Sequence, residues 1–135
     1  MSGHARSTRR FAFSSGHRYA VAAWSAEDNE RAFGRLTVPH GHNYTLDVTV
    51  QGPIEERTGM VIDLSELKRL VTEAVVDRFD HADLNADPLF LERVPTTENI
   101  ALAVWDILVA KLGRDRLASV RVWEDPTLYV DYDGA

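Results

Sequence analysis

An alternating strand pattern near the middle of the chain is the feature that most constrains its fold. Through residues 44–51, each second residue from Tyr44 onwards is apolar and the residues between them are polar. Side chains of an extended strand point to opposite faces in turn, so this strand has one apolar face and one polar face. A sheet of such strands needs other elements to cover its apolar side.

Two histidines stand immediately before this strand, with one glycine between them. Residues two apart on a strand point the same way, so the rings of His40 and His42 converge on one point, and Gly41 adds no side chain that could crowd them. Histidine pairs with this spacing also occur by chance on strands whose polar face is only exposed to solvent. His17 favours the metal interpretation, because it follows an alternating aromatic run that predicts a neighbouring strand. The three histidines are therefore candidate metal ligands.

The composition narrows the choice of metal and of site. The chain has no cysteine, which excludes thiolate zinc sites, disulfides and a cysteine nucleophile. Three imidazoles with a fourth position open are typical of catalytic zinc, whereas structural zinc is usually closed by four protein ligands. Zinc is the favoured ion, although iron and nickel also bind imidazole. A zinc ion that only holds loop and sheet together is the alternative.

Size and charge limit the class of protein. With 135 residues, of which 44% are hydrophobic and 27% charged, we expect one domain spanning 1–135, with residues 1–8 flexible. The formal net charge of -6 argues against a nucleic-acid partner, which needs a basic face. No segment resembles a signal peptide or a membrane span, so we expect a cytoplasmic protein without a membrane partner.

Further patterns complete the predicted order of elements. Asp63 resembles an N-cap, with Glu66 three residues on, and Pro95 precedes a second helix start at Thr96 or Thr97. The predicted strands are 11–19, 44–51, 117–123 and 128–132, and the predicted helices are 64–79 and 97–112, with a short helical piece at 26–32. This ββααββ order predicts an α+β fold in which two helices cover one face of a four-stranded antiparallel sheet. Its exposed edges predict association with further copies of the chain.

Several motifs in the same order resemble one enzyme family. They are Phe-Ser-Ser-Gly-His ending at His17, Phe33-Gly34-Arg35, Pro39-His40-Gly41-His42-Asn43-Tyr44, Asp80-His81, Thr96-Thr97-Glu98-Asn99 and Glu124. Together, between residues 11 and 132, they resemble the 6-pyruvoyl-tetrahydropterin synthase and 6-carboxytetrahydropterin synthase family.

The resemblance implies roles for these residues. It implies that His17, His40 and His42 hold Zn2+ and that Glu124 anchors the ring of a small-molecule pterin substrate. Asp80 and His81 would belong to a proton relay, although such a pair also occurs at helix ends that it caps. Thr96 and Thr97 are expected to cap a helix first and to contact the pterin second.

The resemblance also implies an architecture. It implies the tunnelling fold, in which the sheets of three subunits join into an oligomeric barrel. Two such trimers commonly form a homohexamer, with active sites at subunit boundaries.

One position departs from the family. The family carries a cysteine that acts as a base directly after the Phe-Gly-x segment, and this chain carries Leu36 there. Leucine exchanges no proton, so the usual thiolate step is unavailable.

Three explanations of this departure stay open. In the first, which we favour, the chain is a zinc-dependent lyase acting on 7,8-dihydroneopterin triphosphate or a close analogue. Another residue then supplies the base, either His81 with Asp80 or one of Glu27 and Glu30, and the reaction could become a retro-aldol cleavage. In the second, the protein binds a pterin or purine-derived ligand without turnover. In the third, it is a zinc hydrolase of another substrate.

Overall fold

Two long antiparallel strands form the centre of the protein. The computed structural model describes residues 3–135, and in it β1 (His4–His17) pairs along its whole length with β2 (His40–Pro53). The remaining strands are β3 (Ala82–Asp83), β4 (Leu117–Asp125) and β5 (Leu128–Tyr132). The helices are α1 (Ala26–Phe33), α2 (Leu64–Val71), α3 (Asp77–Phe79) and α4 (Thr97–Leu112). The fold is α+β, as expected, with strand order β3-β1-β2-β4-β5.

The predicted four-stranded antiparallel sheet needs one correction. The two-residue β3 pairs in parallel with Ser15 and Gly16 of β1, so the sheet is five-stranded and mixed. Two residues are too short for an alternating pattern, which is why the sequence did not predict this strand. The other four strands pair with one another in antiparallel fashion.

β1 and β2 differ from prediction at their ends. β1 begins at His4, ends at His17 rather than at residue 19, and pairs residues 4–8 with residues 49–53. From His4 onwards the expected flexible segment is therefore an extension of the sheet, and Met1 and Ser2 lie outside the described residues. β2 begins at His40, so both histidines of the His-Gly-His segment belong to the strand itself.

The predicted helix boundaries are confirmed because the capping residues act as expected. The Asp63 carboxylate accepts hydrogen bonds from the backbone N–H groups of Ser65 and Glu66 at the start of α2. Thr96 caps α4 through Asn99 N–H, and Gly113 ends it at a φ of 88°. A π-helical turn at Thr72–Val76, which the sequence did not predict, joins α2 to α3. Within residues 3–135 no helix combines the length and the apolarity that crossing a membrane requires.

The core lies between one face of the sheet and the helices. On β2 the buried side chains are those at even positions, Tyr44, Leu46, Val48 and Val50. They meet a row spaced four residues apart along α2, the π turn and α3, and buried residues of α4. The helical row consists of Leu67, Val71, Val75 and Phe79. Burial of this apolar stripe fixes which face of each strand is covered.

The uncovered face of the sheet is polar and carries one buried carboxylate. Asp47 accepts two hydrogen bonds from the Arg10 guanidinium, at 2.8 and 3.0 Å, and one from Trp123 Nε1 at 3.1 Å. The bonds from Arg10 and Trp123 hold the pKa of Asp47 below its usual value, against the opposing effect of burial. Asp47 therefore ties β1, β2 and β4 together on the face opposite the core.

Candidate metal centre

The three histidines lie together at one end of the sheet, on its helix-covered face. His17 is paired with His40 across β1 and β2, and His42 is its diagonal neighbour. All three continue the rows of side chains that form the core further along these strands. The strand alternation that predicts the core thus also brings the imidazoles together.

Their spacing suits a shared cation. The three rings each contribute a nitrogen within 4.8 Å of the other two. The ring centres of His17 and His40 are 4.5 Å apart, and that of His42 is 5.1 and 5.2 Å from them. A metal ion with nitrogen ligands at about 2 Å can lie between atoms spaced in this way.

Backbone carbonyls orient two of the rings. His17 Nδ1 lies 2.8 Å from the carbonyl oxygen of Pro95, and His40 Nδ1 lies 2.7 Å from that of Val38. A carbonyl only accepts, so these contacts place the proton on each Nδ1 and leave Nε2 free to bind a metal.

His17 carries the clearest sign that something else binds here. It is 2% exposed, and its Nε2 is fully buried without a hydrogen-bond partner among residues 3–135. Burial lowers the pKa of His17, and the neighbouring His40 and His42 act in the same direction. A neutral imidazole with an unpaired buried nitrogen is costly unless a ligand such as a metal ion occupies it. The three histidines therefore fit a metal ion.

Glu124 and Thr97 lie beside this centre. Glu124 is the last residue of β4 on the face that packs against the core, and its Oε1 is 3.6 Å from His42 Nε2. The buried Thr97 hydroxyl donates a 3.2 Å hydrogen bond to the same oxygen, which orients the carboxylate. Glu124 is thus not the ordinary surface glutamate that its place near a hairpin would suggest. Thr96 acts as the helix cap and is not shown to contact the centre.

Two tyrosines complete the wall of the site. Tyr44 is buried under the histidines, with its hydroxyl 3.4 Å from His17 Nδ1, and burial raises its pKa above the ordinary value. The Tyr19 ring packs edge-on against His17 at 5.3 Å. Burial, then the charges of Glu124 and Glu98, raise the pKa of Tyr19 to about 12.

Asp80 and His81 form the predicted pair at the edge of β1. His81 Nδ1 lies 3.0 Å from Asp80 Oδ2, and Asp80 Oδ1 accepts a 2.8 Å hydrogen bond from Ser14 N–H. The bond from Ser14, then that from His81, lower the pKa of Asp80. The His81 side chain is 84% exposed, and the residue has a left-handed φ of 58°. His81, His17 and His40 all line one cleft of about 530 Å³.

The candidate bases from the long loop lie elsewhere. Glu27 is 81% exposed and binds Arg31 at 2.7 Å, and Glu30 is an exposed residue that faces a different cleft, with Trp24 and Thr37. Within residues 3–135 of a single chain, neither carboxylate is thus among the groups beside the histidine centre. The Leu36 side chain is 43% exposed in a 3-10 turn before β2.

Sequence reasoning missed the groups that support the histidines. Pro95 acts through its backbone carbonyl, which no motif reveals, and Tyr19 belongs to the loop that follows β1. The aromatic character of Tyr19 two residues after His17 was the one available signal.

Known proteins share the fold and the sequence pattern of this chain. The profile of the family described as 6-pyruvoyl tetrahydropterin synthase matches residues 6–135. The human 6-pyruvoyl tetrahydrobiopterin synthase is 41% identical over 133 residues, which span 96% of this chain and 92% of that protein. The structure of the Caenorhabditis elegans 6-pyruvoyl tetrahydropterin synthase superposes with a TM-score of 0.92 at 30% identity and covers 98% of this chain and 97% of that one.

A relative of different activity matches a shorter stretch. The dihydroneopterin monophosphate aldolase of Pyrococcus furiosus is 38% identical over 86 residues, which span 63% of this chain and 69% of that protein. Pterin synthases and a pterin aldolase thus both resemble this sequence.

Removal of one histidine tests the metal centre. We expect His40→Ala to reduce stoichiometric binding of a divalent metal to about a tenth or less, because two imidazoles form a poor site. Elemental analysis after dialysis against zinc measures this loss. The matched control is His4→Ala, which alters an exposed histidine at the far end of β1 and should leave binding unchanged. Unchanged metal content in His40→Ala contradicts the assignment.

Proposed function

This chain belongs to the 6-pyruvoyl tetrahydropterin synthase family, and from that premise we propose that it is a zinc-dependent lyase that binds pterins. Its proposed substrate is 7,8-dihydroneopterin triphosphate or a close analogue. The observation that carries the proposal is the buried, unpaired Nε2 of His17 beside His40 and His42, with the oriented carboxylate of Glu124 next to them. These groups would bind the two ends of one ligand.

The histidines would hold zinc through three nitrogens and leave room for the ligand. Zinc bound there would stabilise negative charge that develops on the side chain of the pterin. The carbonyls of Pro95 and Val38 keep the rings of His17 and His40 turned towards the ion. Burial lowers the pKa of His17 and so favours the neutral imidazole that metal binding requires.

Glu124 would recognise the ring of the pterin. A carboxylate can accept two hydrogen bonds from the adjacent N–H groups of an aminopyrimidinone. The Thr97 hydroxyl already fixes one carboxylate oxygen, so the group enters binding partly ordered. The Glu124 side chain is only 14% exposed, so water competes little for these hydrogen bonds.

His81 would replace the family cysteine as the base. The Asp80 carboxylate accepts a hydrogen bond from Nδ1 of His81, which leaves Nε2 of His81 available to take a proton. In one chain this ring is largely exposed, and assembly of trimers into a hexamer would enclose it at a subunit boundary. We propose this hexameric assembly on the resemblance alone. We also propose that the protein is located in the cytoplasm.

The missing thiol favours cleavage of a carbon–carbon bond. In a retro-aldol cleavage the base removes the proton of a side-chain hydroxyl, a carbonyl forms there, and the bond to the ring-side carbon breaks. That carbon receives the electron pair and is then protonated. A hydroxyl proton is more acidic than one on carbon, so imidazole suffices as the base. The resemblance to an archaeal dihydroneopterin monophosphate aldolase supports this reaction over the usual elimination and rearrangement.

Glu124 can be tested without disturbing the metal. We expect Glu124→Gln to weaken pterin binding about tenfold or more, because hydrogen bonds to a charged group are the stronger kind. Calorimetry with the zinc-loaded protein measures the affinity, and elemental analysis should find unchanged zinc. Glu73→Gln, an exposed substitution on the helical layer, is the control. An unaltered affinity in Glu124→Gln would remove Glu124 from the site.

Product analysis separates an enzyme from a binding protein. We expect zinc-loaded protein to convert 7,8-dihydroneopterin triphosphate, and His81→Asn to lower kcat about a hundredfold or more while it keeps zinc and ligand. Asparagine suits the variant because it tolerates the left-handed backbone at this position. Chromatography identifies the product.

The same assay also has a contrary outcome and can be applied to a second variant. Stoichiometric retention of intact ligand by the unaltered protein would contradict the enzyme and indicate a binding protein. Leu36→Cys restores a thiol, and we expect it to add the elimination product to the mixture if the rest of the pocket is already arranged for it.

A further inference from the structure

Tyr19 occupies a part of the site that the proposed roles do not use. Its ring lies edge-on to His17 at 5.3 Å, 6.4 Å from His40, and edge-on to Phe33 at 5.8 Å. It therefore lies against two of the three proposed ligands of the metal and forms one wall beside them.

The backbone places Tyr19 beside the position where the family has its cysteine. Tyr19 N–H donates a 2.8 Å hydrogen bond to the carbonyl oxygen of Leu36. Asn29 holds the loop that follows. Its side chain accepts a hydrogen bond from Val21 N–H and donates one to the carbonyl oxygen of Val21. Hydrogen bonds thus fix the backbone of Tyr19 beside that of Leu36 and hold the loop that follows.

The hydroxyl of Tyr19 is unusual for a half-buried tyrosine. It forms no hydrogen bond with any of residues 3–135, yet it is not sealed from water as His17 Nε2 is. The unpaired hydroxyl belongs to a ring that packs against His17 and His40, so it is available at the wall of the histidine centre, where a ligand would lie. A tyrosine that served only for packing would have no need of a polar atom there.

We propose that Tyr19 is a ligand-contacting residue whose hydroxyl donates a hydrogen bond to a side-chain oxygen of the pterin at the histidine centre. This inference rests on the proposed function, because it presumes a pterin that spans the histidines and Glu124. Tyr19 then supplies the polar contact that Leu36 cannot, and it selects pterins with hydroxylated side chains over those with a plain alkyl group.

A pair of ligands isolates this hydrogen bond. Tyr19→Phe removes the hydroxyl and keeps the ring that packs on His17 and Phe33. Calorimetry on the zinc-loaded full chain should find dihydroneopterin bound about three- to tenfold more weakly, the range that one neutral hydrogen bond contributes. Binding of 6-methyl-7,8-dihydropterin, which has no side-chain hydroxyl, should stay the same. Tyr132→Phe, which alters a tyrosine packed on Trp105, is the control for both ligands.

Each alternative outcome counts against a distinct claim. Equal loss for both ligands, or no loss for either, overturns the role of Tyr19 and leaves the proposed function standing. A loss of zinc in Tyr19→Phe, measured by elemental analysis, overturns it too, because the residue would then shape the metal centre instead. If the unaltered protein binds neither pterin, the proposed function fails and this inference fails with it.

Discussion

The antiparallel register of β1 and β2 is the constraint on which the rest depends. It pairs His17 with His40, so the face that buries Leu46 and Val48 further along also brings the imidazoles together at its end. A slip of one residue would turn the histidines to the polar face. His17 is buried on this face, and the segment before α4 supplies the carbonyl that orients it. Core packing and the candidate chemistry thus share one geometric cause.

Much of this arrangement could be predicted because its causes are local. The period of two in β2 placed His40 and His42 on one side, and the alternating run before His17 predicted the neighbouring strand. Helix starts were predictable because Asp63 and Thr96 satisfy backbone N–H groups within three residues. That a leucine exchanges no proton follows from side-chain chemistry alone, whereas the loss of a base at Leu36 follows only from the resemblance to the family and stays a prediction.

The features that escaped prediction depend on contacts distant in sequence. The short β3 exists because Ala82 and Asp83 meet the edge of β1, and the bond from Ser14 to Asp80 fixes the segment before it. Likewise, Tyr19 reaches the centre because its backbone binds Leu36 across the loop. Such contacts leave no period in the sequence.

The coordination of the metal tests the central claim most directly. X-ray absorption at the zinc edge, on protein with and without a bound pterin, reports the number and kind of ligands. We expect three imidazole nitrogens at about 2.0 Å and one further light atom, with a change in that atom's contribution alone when the pterin binds. Four protein ligands that stay the same with ligand present, or fewer than three imidazoles, would contradict an open three-histidine centre and the chemistry proposed for it.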